Sequence, residues 1–305
     1  MSRDLDKAEA AFYGRFVDAA YTMFKRDETD LTPQPQPHDL PPSHELVAWL
    51  NMTDFGLFRN ERKFYGFIGR CRANRHEFVL AIRGTEGVIE WWDDVFARLV
   101  PFTQVPQAGR VEQGFDKIYS SLKVINQTVA AAGASKAASA PSGPPTSFAG
   151  QLEELADSLE EPDVQQKMRL TPAARPRRSF TVTAHSLGSA LATMFVMENK
   201  WKNKFDISTI CTFASPRVGD DEFVRQFNLL PITFWRIVNT QDIVPKVPLR
   251  IPPGFDYRHV DTAYGFSSKG VVKSWNPACW HSMKTYLHWL DPSVQLEKGC
   301  GRRNP

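Results

Sequence analysis

The chain predicts an α/β fold, a mostly parallel sheet covered by helices on both faces. Three observations predict it. From residue 179 onward, β-rich runs alternate with helical ones, the order that a parallel sheet requires. Upstream, residues 63–70 and 77–83 are strand-like runs separated by a polar turn, an antiparallel hairpin leading into that sheet. Between them in importance stands Thr183-Ala184-His185-Ser186-Leu187-Gly188. It sets a serine between a strand and a helix, with small residues two positions to either side, the sequence form of a nucleophile elbow.

The elements follow in chain order. Leu5, Ala8, Phe12, Phe16, Ala19 and Met23 recur at helical spacing, predicting an amphipathic covering helix over residues 5–24. A proline-rich stretch, residues 32–42, reads as an extended connection, so residues 1–44 form a cover and its tether. After the hairpin, Phe115, Ile118, Leu122, Ile125 and Val129 predict a second helix. In residues 131–147 every residue but Lys136 is Ala, Gly, Ser, Pro or Thr. This opens a flexible low-complexity insertion spanning 131–176. Within it Leu152, Leu155 and Leu159 mark a short acidic helix, and residues 162–178 read as loop. Then come a strand at 179–183, a helix at 187–201, a strand at 207–213, a helix at 221–227, a strand at 233–238 and a closing helix at 280–290.

Composition bounds the function. The 305 residues, 42% hydrophobic, suffice for the core of one large domain covering 1–305. A net charge of +3 is too mild to argue for a nucleic-acid partner, and none is expected. Cys71, Cys211, Cys279 and Cys300 lack the paired spacing of a zinc site, and Cys211 reads as a core residue. No run reaches membrane-spanning length and the first residues carry no apolar signal region. The expected compartment is the cytoplasm, with an extracellular processed form as the alternative. Oligomeric state is not legible.

Ser186 could be an ordinary helix N-cap. As a nucleophile it needs a base and an orienting carboxylate, in chain order serine, acid, histidine on a sheet of this type. Asp242 lies where a strand delivers its loop, whereas Asp220 and Asp221 read as helix caps and Asp256 and Asp261 lie in an irregular segment. Among the histidines, His281 ranks ahead of His259; His288 falls too far into the last helix and His185 points away. The Leu187 N–H, at the start of the helix, is the first oxyanion donor.

Several ordered blocks resemble the class 3 lipases, the fungal triacylglycerol lipase-like branch of the α/β hydrolases. They are Ala81-Ile82-Arg83-Gly84-Thr85, Thr212-Phe213-Ala214-Ser215-Pro216-Arg217-Val218-Gly219-Asp220, the run from Arg236 through Asp242 to Pro245, and His281-Ser282-Met283-Lys284-Thr285-Tyr286-Leu287. The resemblance implies an α/β-hydrolase fold and a Ser186, Asp242, His281 triad cleaving carboxylic esters, acylglycerol lipids first, with no metal or organic cofactor. It places the second oxyanion donor at Thr85, with Asp94 holding the Thr85 hydroxyl. It also makes 87–96, with Val88, Ile89, Trp91 and Trp92, an apolar lid that touches a lipid interface transiently. Phospholipase A1-type and feruloyl-type esterases are the alternatives within the fold; a catalytically silent lipid- or partner-binding protein is the alternative outside enzymology. The chain departs from the pattern at Ala184, Ser189 and Ala214, where glycines are usual, at Gln113, where histidine is common, and in the insertion.

Overall fold

Eight strands form the central sheet of the computed structural model, which describes residues 4–55, 60–85, 98–128, 146–171, 173, 175–249 and 256–302. The hairpin is present as β2 (Asn60–Cys71) and β3 (Glu77–Ile82), paired antiparallel. β3 then pairs in parallel with β7 (Ser179–His185), followed by β8 (Asp206–Phe213), β9 (Thr233–Asn239) and β10 (Ala263–Phe266). Beyond β2 lie β1 (His44–Phe55) and β6 (Lys123–Asn126), both antiparallel. A separate small ribbon joins β4 (Leu99–Pro101) to β5 (Arg110–Glu112).

Side-chain alternation along the strands feeds two cores. Phe78, Leu80 and Ile82 of β3, with Phe180, Val182 and Ala184 of β7, point to one face; Val79 and Ala81 point to the other. The first face is covered by α2 (Gln113–Ser120), α3 (Phe148–Ser158), α5 (Leu187–Lys202) and the short α6 (Asp221–Phe227). The second is covered by α1 (Lys7–Arg26) and by α8 (Met283–Leu290), which follows the short α7 (Pro277–His281). The covering helix expected at 5–24 is therefore a full layer of the second core.

Several expectations need correction. The helix predicted through Val129 stops at Ser120, because Lys123–Asn126 pairs with β1, Val124 opposite Leu50 and Ile125 opposite Trp49. Ladder formation against a long strand outweighs the local helical period. The loop expected at 162–178 begins with α4 (Pro162–Leu170), whose first residue is a proline, favourable at a helix start. Within the insertion expected to be flexible over 131–176, the predicted short acidic helix is present as α3, and its Phe148, Leu152 and Leu155 are buried in the first core rather than part of a flexible segment; residues 129–145 lie outside the described residues. The last helix is interrupted at Ser282, between α7 and α8.

His259, expected in a strand-like setting, lies in no strand; it is half-buried and its Nε2–H donates to Pro245 O at 2.6 Å. Burial, then Arg236, lowers its pKa from 6.5 to about 3. The folded state therefore binds fewer protons than the unfolded chain between those values, and stability falls as pH drops through that window. Denaturant titrations across that range should show a shallower acid decline in His259→Gln, which keeps the donor without the titration. Parallel curves for the two proteins would contradict this.

Candidate active site

β7 ends at the centre of the sheet, and the chain reverses into α5 through a single residue, Ser186. Its backbone has φ 58° and ψ −129°, a conformation that a side-chain-bearing residue adopts only at a cost of about 1–3 kcal/mol. Neighbouring backbone holds it there. Ser186 N–H donates to Phe213 O at 2.9 Å, and the Ser189 N–H returns to Ser186 O at 2.9 Å. α5 runs so close to β3 that a Cβ on Gly188 would lie 2.5 Å from Arg83 O. A Cβ on Gly84 would lie 2.6 Å from Ser186 Cβ. Glycine is required at both places. At the departures, Ser189 Oγ lies within bonding distance of Ala184 O and Phe213 O, and Ala214 takes a φ of 53°, where glycine would be unstrained.

The sequence-predicted partners converge on this serine. Ser186 Oγ lies 2.9 Å from His281 Nε2, and His281 Nδ1 lies 2.8 Å from Asp242 Oδ2. Ser186 and Asp242 are almost completely buried. The carboxylate also accepts from the Val244 N–H (3.0 Å) through Oδ1 and from the Tyr286 hydroxyl (2.7 Å) through Oδ2. Burial, then the charge of Asp242, pushes the Tyr286 phenol well above its usual range, so it remains a proton donor. Tyr286 lies in the helix predicted at 280–290 and had no role in the sequence reading; helical spacing reports burial, not a polar contact.

Buried Asn239 ties the acid loop to the short helix that carries His281. Its side-chain amide donates to Trp280 O at 2.8 Å and to Ser268 Oγ at 2.9 Å. On the histidine side, a Cys279–Cys300 disulfide lies two residues before His281. The cysteine count gave no signal of it, because the two thiols stand 21 residues apart in an otherwise ordinary segment. Contrary to expectation, His281 closes a short helix rather than opening the last one.

The end of β3 is fixed as strongly. Buried Arg83 donates through Nε and Nη2 to Phe64 O and through Nη1 to Gly84 O at 2.6 Å, its guanidinium stacked on Phe24 and Tyr65. In a trans peptide the carbonyl and the following N–H point to opposite sides. With the Gly84 carbonyl turned toward Arg83, the Thr85 N–H is turned away from it. Thr85 Oγ1 is buried with no hydrogen-bond partner among the described residues. Leu187 N–H, in the first turn of α5, has no intrahelical acceptor by helix geometry. Asp94 and the lid positions Val88, Ile89, Trp91 and Trp92 lie outside the described residues. Among the described residues no group of three or more His, Cys, Asp or Glu side chains could hold a metal, and no helix is long and apolar enough to cross a membrane.

Known proteins share this arrangement of elements. A lipase from Rhizopus microsporus var. chinensis matches over 87% of this chain and 75% of its own, at 21% identity and a TM-score of 0.53. A mono- and diacylglycerol lipase from Aspergillus oryzae matches over 86% and 80%, at 16% identity and a TM-score of 0.54. These likenesses show the fold. Phospholipase A1-II 3 of Oryza sativa subsp. indica is 29% identical over 76% of this chain. The match takes in 52% of that relative, so the chain spans about half its length. Phospholipase A(1) DAD1, chloroplastic, of Arabidopsis thaliana is 23% identical over 94% of this chain and 72% of its own. Residues 79–251 match the family described as Lipase (class 3). The chain belongs to the class 3 lipase family and has its α/β-hydrolase fold.

Proposed function

We propose that the chain hydrolyses carboxylic esters of lipids, with Ser186 as nucleophile, His281 as base and Asp242 as the orienting acid. The observation that carries this reading is the unbroken hydrogen-bond run from Ser186 Oγ through both ring nitrogens of His281 to Asp242. A serine used only as an N-cap would bond the first turn of its helix, and no such side-chain bond is made.

The chemistry follows from the atoms. As Ser186 Oγ bonds the ester carbonyl carbon, its proton passes to His281 Nε2 and the carbonyl oxygen becomes an oxyanion. Asp242 holds Nδ1 protonated and stabilises the imidazolium, while Tyr286 and Val244 keep the carboxylate from rotating. The oxyanion falls to the Leu187 and Thr85 N–H groups, with the Thr85 hydroxyl as a third donor supported by Asp94. When the intermediate collapses, the ester C–O bond breaks and His281 returns the proton to the leaving alkoxide. Water, deprotonated by the same imidazole, then cleaves the acyl-enzyme. The lid over this site belongs to 87–96, on the strength of its apolar residues and the family resemblance.

Acylglycerols are the substrate class read from the sequence. Phospholipase A1-type cleavage is the second reading, favoured by the names of the plant relatives. The Cys279–Cys300 disulfide supports an oxidising compartment over the expected cytoplasm.

A fluorophosphonate probe should label the wild type and fail to label Ser186→Ala; equal labelling would remove the nucleophile assignment. Thr85→Ala, which removes the hydroxyl and keeps the backbone N–H, should lower turnover of a soluble ester by roughly 10²–10³ while leaving thermal stability nearly unchanged, and undiminished turnover would exclude the Thr85 hydroxyl as an oxyanion donor. Product analysis on triacylglycerol emulsions and on phosphatidylcholine vesicles with distinguishable acyl chains separates the two substrate readings: fatty acid from the first alone favours the lipase, and sn-1 release from the second favours the phospholipase.

A further inference from the structure

His185, expected to point away from the site, has its ring 4.5 Å from that of His281, centroid to centroid. It is 2% exposed and both of its nitrogens are bonded. Nδ1 lies 2.7 Å from the Tyr21 hydroxyl and Nε2 lies 2.8 Å from the backbone carbonyl of His281. The Tyr21 oxygen also accepts the Gly84 N–H at 2.8 Å. We propose that Tyr21 and His185 are positioning residues, a hydrogen-bond chain that fixes the β3 end and the backbone of His281 in one frame around Ser186.

The proton directions in this chain follow from its ends. The His281 carbonyl can only accept, so His185 carries its proton on Nε2. Burial, then the neighbouring His281, holds His185 well below the usual histidine range, so the ring is neutral and Nδ1 is a bare acceptor. Tyr21 O–H therefore donates to Nδ1 while its oxygen receives the Gly84 N–H. No donor faces a donor along the path, and the path is continuous from Gly84, one residue before Thr85, to His281.

Its geometry explains a role for α1 beyond cover. α1 reaches the site through Tyr21, whose hydroxyl lies where a Cβ on Gly84 would be 2.8 Å away. Ser186 crowds the same glycine from the other side. The hydroxyl thus sets how far the β3 end stands from the nucleophile. His185 sets how far the His281 backbone stands from the elbow that precedes Ser186. Catalysis of the proposed kind needs both distances held at once, because a misplacement of about 1 Å can cost 10²-fold in rate.

The proposal rests on the serine-hydrolase reading, and a double-mutant cycle on a soluble short-chain ester tests it. Tyr21→Phe keeps the ring and removes the hydroxyl; His185→Phe keeps a ring and removes both nitrogens. Each should lower kcat by about tenfold with KM nearly unchanged, the size of effect expected from one lost buried hydrogen-bond link. His185→Gln, whose amide N–H can reach the His281 carbonyl, should recover part of the loss. The double variant should be no worse than the worse single one, because both act through one chain. Thermal unfolding of every variant identifies any that fails to fold, and Tyr21→Phe and His185→Gln change least of the packing. An unchanged kcat in Tyr21→Phe, or losses that multiply in the double variant, would overturn the chain. Ser186→Ala run alongside keeps the two claims apart: hydrolysis that survives it removes the serine-hydrolase reading itself, whereas hydrolysis lost there but intact in Tyr21→Phe removes only the positioning role.

Discussion

One strained residue organises this molecule. Ser186 turns a central strand into a helix within a single backbone position, at a φ that costs energy. The surrounding structure must over-determine it, and does so from three sides. β8 accepts its N–H, α5 lies against the carbonyls of Ile82 and Arg83, and Gly84 leaves just enough space for the side chain. Substitutions that look remote in sequence, at Gly84 or Gly188, meet the same few atoms.

The sheet then explains why distant residues arrive together. β7, β8 and β9 are parallel neighbours, so their carboxyl ends lie on one edge. Ser186 follows β7 directly, and Asp242 follows β9 by three residues. His281 comes from the end of α7, which Asn239, at the end of β9, holds through Trp280 O. The buried Asp242 charge is tolerable because three donors surround it, and a buried carboxylate with fewer would have a large desolvation cost.

Much of this was legible in the sequence because the decisive signals are local. The elbow spacing around Ser186, the strand exit before Asp242 and the alternation after residue 179 each reflect short-range backbone geometry. The hairpin into β3 was legible for the same reason. What escaped depends on partners far away in the chain. Lys123–Asn126 carries a helical period, yet it becomes a strand because β1 offers an open edge. The helix at α3 was legible from Leu152 and Leu155, but its docking was not: it sits beside an Ala-, Ser- and Pro-rich run, and only the core shows that Phe148 and Leu152 are buried. Choosing His281 over His259 on physical grounds turned on loop position; the structure separates them by what each ring touches, Ser186 and Asp242 against Pro245 O. The polar contacts of Tyr286, His185 and Tyr21 have no sequence signature at all, since spacing predicts which side chains turn inward and not what they bond.

The central claim is that the hydroxyl at the elbow attacks while the N–H groups of Leu187 and Thr85 receive the developing negative charge. A crystal structure of a phosphonate adduct tests it most directly, because the tetrahedral phosphorus stands in for the carbon under attack. The account predicts phosphorus bonded to Ser186 Oγ, its free oxygen within hydrogen-bond distance of both N–H groups, and His281 Nε2 beside the leaving-group oxygen. An adduct on another residue, or a free oxygen turned away from Leu187 and Thr85, would contradict it.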